Sequence, residues 1–84
     1  MKRDTSRPFR AVTLATGDAE GYRRVNSVQD AVRTLLQHWP IHDGEEYVTA
    51  VAMCLEAMLG AVCPDAARDA LIRAATEAGM SVVQ

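Results

Sequence analysis

The chain lacks the residue patterns that define several common classes of protein. Its two cysteines, Cys54 and Cys63, are too few for a disulfide scaffold, and their spacing fits neither a C-x-x-C redox pair nor a zinc ribbon. No apolar run is long enough to span a bilayer. The basic start, MKRDTSRPFR, is not followed by the apolar segment of a signal peptide. We therefore expect a soluble, cytoplasmic protein.

Signatures of catalysis are also missing. The five glycines form neither a G-x-G-x-x-G motif nor a P-loop. Ser27 has no histidine in a nucleophile pattern and is better explained as a helix cap. Glu45 and Glu46 are adjacent, so on a helix they point about 100° apart and cannot act as a catalytic pair. We expect no catalytic or cofactor-binding residues, and a protein that is not an enzyme.

The segment H-W-P-I-H-D, from His38 to Asp43, contains potential metal ligands. Histidines four residues apart share a metal when one helix carries both, but Pro40 interrupts any helix between His38 and His42. No third ligand stands at a motif spacing. We interpret these residues as a solvated connector and expect no bound metal.

What the sequence does contain is typical of a small folded domain. The 84 residues are 49% hydrophobic and 24% charged, which suits one globular domain. Residues 1–8 are polar and charged, so we expect a flexible N-terminal arm. Residues 9–84 are expected to form a single α+β domain.

The first half of this domain predicts a β-hairpin. In FRAVTLAT, Val12 and Leu14 alternate with smaller or polar residues, which is typical of a strand with one buried face. Turn residues follow, and Tyr22 to Val25 forms the return strand. Near the C-terminus, Val82 and Val83 favour extended structure, so the tail either adds a third short strand or stays outside the sheet.

Three helices are expected between the hairpin and the tail. Ser27 caps the first helix, which Pro40 stops, and Pro64 opens the third, which Gly79 ends. The second helix, Glu45 to Leu59, has an apolar arc of roughly 220°. We therefore predict that it is the central helix, covered by the first helix, by an alanine-rich face of the third and by the inner face of the hairpin.

Smaller expectations follow from the same helices. Cys54 falls within the apolar arc of the second helix and is expected to fill space in the core. Trp39 is expected in the core with its indole N–H bonded to an acceptor. On the third helix, Asp69, Arg73 and Glu77 stand at i, i+4 spacing and predict a solvated charge ladder.

Four stretches resemble a known family: V-N-S-V-Q-D-A at 25–31, L-L-Q-H-W-P at 35–40, A…C…A-M-L-G at 52–60 and A-R-D-A-L-I-R-A-A at 67–75. The chain is similar in these parts to the small bacterial proteins grouped as domain of unknown function 982. The resemblance covers about Phe9 to Gly79. It implies a single-domain protein, and it implies no activity and no functional residue.

Charge is distributed unevenly along the chain. Residues 1–40 carry seven basic and four acidic residues, a net of +3, whereas residues 41–84 carry two basic and seven acidic residues, a net of −5. Such asymmetry can steer a partner or favour self-association.

We predict a non-catalytic protein-interaction or self-associating module, with an unknown protein or a second copy as partner. The apolar residues that lack an obvious cover are Met53, Ile72 and Tyr22. The alternative is a nucleic-acid-binding module with a basic surface on the N-terminal arm and hairpin: Lys2, Arg3, Arg7, Arg10, Tyr22, Arg23 and Arg24. The acidic pI of about 5.5 and the lack of a reader motif count against this alternative.

Overall fold

A computed structural model describes residues 9–15, 21–40 and 43–83 of the chain. The expected α+β fold is confirmed, and the tail does contribute a third strand. The elements in chain order are β1 (Val12–Ala15), β2 (Tyr22–Val25), α1 (Val28–Gln37), α2 (Glu45–Met58), α3 (Pro64–Glu77) and β3 (Ser81–Val83). The predicted arm at residues 1–8 lies outside the described residues.

The three strands form an antiparallel sheet in the order β2-β1-β3. Val12 pairs with Val25, and Leu14 pairs with Val82 on the other side of β1. Val12, Leu14 and Val25 are buried, because side chains alternate between the two faces of a strand and these three share the face that meets the helices. Alternation in the sequence therefore placed the inner face of the hairpin correctly.

Local sequence signals set the ends of the helices. The Ser27 hydroxyl accepts a hydrogen bond from the Asp30 amide at 2.9 Å, which is the predicted N-cap of α1. Gly60 and Gly79 follow α2 and α3 with φ of +84° and +81°. Glycine adopts this left-handed conformation without steric cost, so both helices end where the sequence predicts.

The N-terminus of α2 is capped by a residue of α3. The preceding residue is Gly44, which has no side chain to offer. The Glu77 carboxylate instead accepts hydrogen bonds from the amides of Glu46, at 3.1 Å, and Tyr47, at 3.2 Å. A Cβ at position 44 would collide with this carboxylate. The expected charge ladder on α3 is therefore wrong in part, because Glu77 and Arg73 both reach α2: Arg73 lies 3.5 Å from the Glu46 carboxylate.

Removing this cap should destabilise the fold measurably. We expect Glu77→Ala to lower the free energy of unfolding by about 1 kcal/mol, since two amides at the start of α2 lose their acceptor. Urea denaturation followed by circular dichroism measures the change. Glu56→Ala is the matched control, because it removes an exposed glutamate near the other end of α2 and should cost less than about 0.5 kcal/mol. Equal losses in the two variants would contradict the cap.

The interior contact between α2 and α3 is built from small residues. Five residues of α3 are fully buried: Ala67, Ala70, Leu71, Ala74 and Ala75. The buried side of α2 is also small, with Ala50 and Cys54 at 0% exposure. Short side chains let two helix axes approach closely, so the predicted alanine contact with the second helix is confirmed.

The aromatic residues secure α2 to α1. The Tyr47 hydroxyl donates to the Leu35 carbonyl at 2.8 Å, and the Tyr47 and Trp39 rings lie 6.4 Å apart. Trp39 is buried, as predicted. The expectation about its indole is wrong, because Nε1 has no hydrogen-bond acceptor among the residues that the structure describes.

Helix α2 packs against both α1 and α3, so it is central among the helices as predicted. The hairpin does not cover the rest of α2 as expected, because Val48, Leu55 and Leu59 are exposed. The sheet meets the helices mainly where β2 contacts α1 and β3 contacts α3. A wide apolar arc shows how many side chains of a helix are apolar. It does not show whether the fold has enough other elements to bury them all. The side of α2 turned away from α1 and α3 consequently remains exposed.

Candidate interaction surface

The residues predicted for an interaction surface do not all lie on one. Arg10, Tyr22 and Arg24 are exposed. Arg23 pairs with Leu14 in the sheet, so it lies on the face that meets the helices and is half-buried. Met53 and Ile72 are half-buried and pack against the core, so they are not the uncovered apolar residues that the sequence indicated.

Single exposed apolar residues occur on β2, α1 and β3, at Tyr22, Leu36 and Val83, whereas the outer side of α2 carries a group of them. Val48 and Leu55 are 58% and 44% exposed, and Leu59, which follows the helix at its C-cap, is 84% exposed. Ala52 is exposed between them. At about 100° per residue these four positions fall within an arc of about 60°, so they form one continuous apolar stripe. We call Val48, Ala52, Leu55 and Leu59 the α2 outer face.

The spacing of the α2 outer face is that of a helix-pairing seam. Its members follow one another at intervals of four, three and four residues, which is the a/d spacing of a helix that packs on another helix. Sequence reasoning missed this because it treated the whole apolar arc as core. A partial signal was present in residue size: the small Ala50, Cys54 and Ala57 stand on one side, and Val48, Leu55 and Leu59 stand on the other.

Acidic side chains border the α2 outer face. Glu45 and Glu56 are exposed and lie about 20° and 40° around the helix from Ala52. Asp43 is exposed just before the helix begins. None of these three carboxylates has an ion pair within the described ranges 9–15, 21–40 and 43–83. Helix α2 contains no lysine or arginine, so the charges on this flank of the α2 outer face are all negative.

The potential metal ligands are not gathered into a site by the described part of the chain. His38 is exposed, and His42 lies outside the described residues. Among the residues that are described, no group of three or more histidine, cysteine, aspartate or glutamate side chains could hold a metal ion.

The two thiols stand in opposite environments. Cys54 lies on α2 and is buried in the hydrophobic core. Burial raises the pKa of its thiol from 9.0 to about 11. Cys63 is exposed at the N-cap of α3. A buried neutral thiol behaves as a small apolar group, so Cys54 has the space-filling role that the sequence predicts for it.

This difference predicts selective labelling. At pH 8, iodoacetamide should modify one thiol per native chain and both thiols in denaturant, as counted by intact mass. A Cys63→Ser variant should stay unmodified while folded. Rapid modification of that variant under native conditions would contradict the buried position of Cys54.

The same pKa shift sets a pH dependence. The unfolded thiol ionises near pH 9.0 and the folded thiol only near 11, so between these values the unfolded state binds fewer protons. The free energy of unfolding should therefore fall as pH rises through this window, by up to about 1.4 kcal/mol per pH unit from this group. The slope should be smaller in Cys54→Ala, which lacks this contribution, when both proteins are titrated with urea.

None of the helices in the described residues combines the length and hydropathy needed to cross a membrane. The fold and surface together define the class of the protein: a small antiparallel α+β domain that leaves one face of its middle helix uncovered. Within this class, the model of the family described as "Protein of unknown function (DUF982)" matches residues 10–82. The chain belongs to this family, which confirms the resemblance seen in the sequence. No curated protein and no solved structure matches the chain.

Proposed function

We propose that the protein is a non-catalytic protein-interaction module whose contact surface is the α2 outer face. The observation that carries the proposal is the exposure of Val48, Leu55 and Leu59 at helix-pairing spacing. Scattered apolar residues on a surface are ordinary, whereas a continuous stripe of them on one helix is typical of a docking surface. The cytoplasmic location expected from the sequence is part of the proposal.

The energetics favour an occupied surface. A large aliphatic side chain that moves from full exposure to full burial contributes about 1.5–3 kcal/mol, and each side chain of the stripe gains the part that corresponds to its present exposure. Three such side chains already stand in a fixed helical geometry, so little conformational entropy is lost from this side on binding. An amphipathic helix laid along the stripe would use the contact mode in which apolar residues at i, i+3, i+4 and i+7 anchor the partner.

Substitution on and beside the surface tests the proposal. Tagged protein at native expression level should elute from size-exclusion chromatography of native-cell extract in a complex larger than the monomer. Leu55→Glu should move it to the monomer position, because a carboxylate in the stripe cannot be desolvated cheaply. Thr49→Glu is the matched control, an exposed site on the same helix outside the stripe, and should leave the complex intact. Loss of the complex in both variants, or in neither, would contradict the proposed surface.

A second candidate rests on the outer face of the sheet. Tyr22 and Arg24 are exposed there on β2, and Arg10 is exposed just before β1. An exposed aromatic ring can stack on a base and a neighbouring arginine can contact a phosphate, which are the two contacts that single-stranded nucleic acid needs. Binding of a labelled oligonucleotide that weakens steeply with salt and disappears in Arg24→Glu would support this candidate. Arg23 is a poor choice for that test, because it lies on the helix-facing side of the sheet.

A further inference from the structure

We infer that the α2 outer face accepts a basic amphipathic helix from another protein. The inference rests on the proposed function and adds the chemistry of the partner. The apolar stripe indicates that the partner is apolar along its contact side, but it does not indicate the charge of the partner's other residues. The charges that border the stripe supply this information.

One flank of the stripe is acidic, and its carboxylates have no ion pair among the described residues. Glu45 and Glu56 stand on the same flank of the α2 outer face, and Asp43 precedes it. The neighbouring Glu46 is different, because Arg73 lies 3.5 Å from its carboxylate. Within the domain, Glu46 turns toward α3 and has an ion-pair partner there. The acidic residues beside the stripe have no ion pair among the described residues. Lysine or arginine beside a partner's apolar stripe would complete these pairs.

A second copy of the chain fits this border poorly. An antiparallel two-fold pairing of two α2 outer faces places both acidic flanks on the same side of the contact, where like charges repel. A parallel pairing places the acidic flank of one copy against Val51 and Met58 of the other. Because α2 has no lysine or arginine, neither arrangement brings a positive charge from α2 to Glu45 or Glu56.

The direct test uses two peptides and the full chain. Both are fluorescein-labelled 18-residue helices with leucine at a and d positions; one has lysine at the e and g positions and its twin has glutamate. Anisotropy at low salt measures each affinity. We expect the lysine peptide to bind about tenfold more tightly than its twin, since several partly exposed ion pairs replace several like-charge contacts.

Two variants separate docking from bulk attraction between opposite charges. Leu55→Glu makes the surface more acidic, so attraction by charge alone would strengthen binding of the lysine peptide; docking in the stripe predicts at least a tenfold loss. Glu45→Lys combined with Glu56→Lys should reverse the preference between the two peptides. Gln37→Glu, which adds the same charge at an exposed position of α1, should leave both affinities within about twofold of the parent.

Three results would overturn the inference. Equal affinities for the two peptides would show that charge does not select the partner, and no binding of either would exclude a helix of this kind. A dimer in sedimentation velocity that Leu55→Glu converts to monomer would identify a second copy as the occupant. In each of these cases, loss of the native complex in Leu55→Glu but not in Thr49→Glu would still support the proposed function, so the two failures are distinguishable.

Discussion

Leu71→Ala should destabilise the domain by about 2–5 kcal/mol, whereas Leu55→Ala should cost less than about 1 kcal/mol. The two substitutions are chemically identical, and both leucines belong to apolar helix arcs in the sequence. The structure separates them: Leu71 is fully buried in α3, and Leu55 is 44% exposed on the α2 outer face. Truncation of Leu71 leaves a cavity that a tightly packed small core cannot fill.

Paired urea titrations of Leu71→Ala and Leu55→Ala measure this difference. Domains of this size are only marginally stable, so the Leu71 variant should be largely unfolded or have a much lower midpoint. The Leu55 variant should keep the far-ultraviolet spectrum and nearly the midpoint of the parent. A cost for Leu55→Ala close to that for Leu71→Ala would show that the outer side of α2 is part of the core, contrary to the structure.

The second large effect is expected from enlarging an alanine between α2 and α3. Ala70 is fully buried and stands on the row of α3 that includes Arg73 and Glu77, the two residues that reach α2. Ala70→Leu adds three carbon atoms at a position that is fully buried, so we expect a loss of about 1–3 kcal/mol or more. The hydrogen bonds from Glu77 to the start of α2 should weaken as the helices separate.

Ala52→Leu is the control for this overpacking. It is the same substitution on α2, at an exposed position of the α2 outer face, and its cost should be within about 0.5 kcal/mol. Thermal unfolding of both variants is sufficient to compare them. If Ala70→Leu left the stability unchanged and Ala52→Leu lowered it, the side of α2 described as exposed would be the buried one.

Much of the fold was readable from local signals in the sequence. Alternation of Val12 and Leu14 fixed the inner face of the hairpin, Ser27 marked the start of α1, and the glycines after α2 and α3 marked their ends. These signals were reliable because each depends on neighbours within a few residues. The third strand was also indicated by Val82 and Val83, although its pairing with β1 depends on residues far away in the chain.

The interaction surface was harder to predict, because whether one side of a helix is buried depends on elements that are distant in the sequence. The periodicity of α2 gave a wide apolar arc, and periodicity alone does not distinguish the side that meets α3 from the side that meets water. Met53 and Ile72 lie outside the apolar arcs of their helices, and both nevertheless pack against the core, because cover also depends on which other elements are near. The capping of α2 by Glu77 was also out of reach, since it joins residues 30 and 31 positions apart.

Site-specific photo-crosslinking in the native cell tests whether the α2 outer face is the surface that a partner contacts. A benzophenone amino acid replaces Leu55 in one variant and Thr49 in the other; both sites are exposed on α2, and only the first belongs to the α2 outer face. The account predicts a discrete, light-dependent adduct of higher mass from position 55 and little or none from position 49. Equal yields at the two positions, or an adduct from position 49 alone, would contradict the assignment of the outer face of α2 as the docking surface.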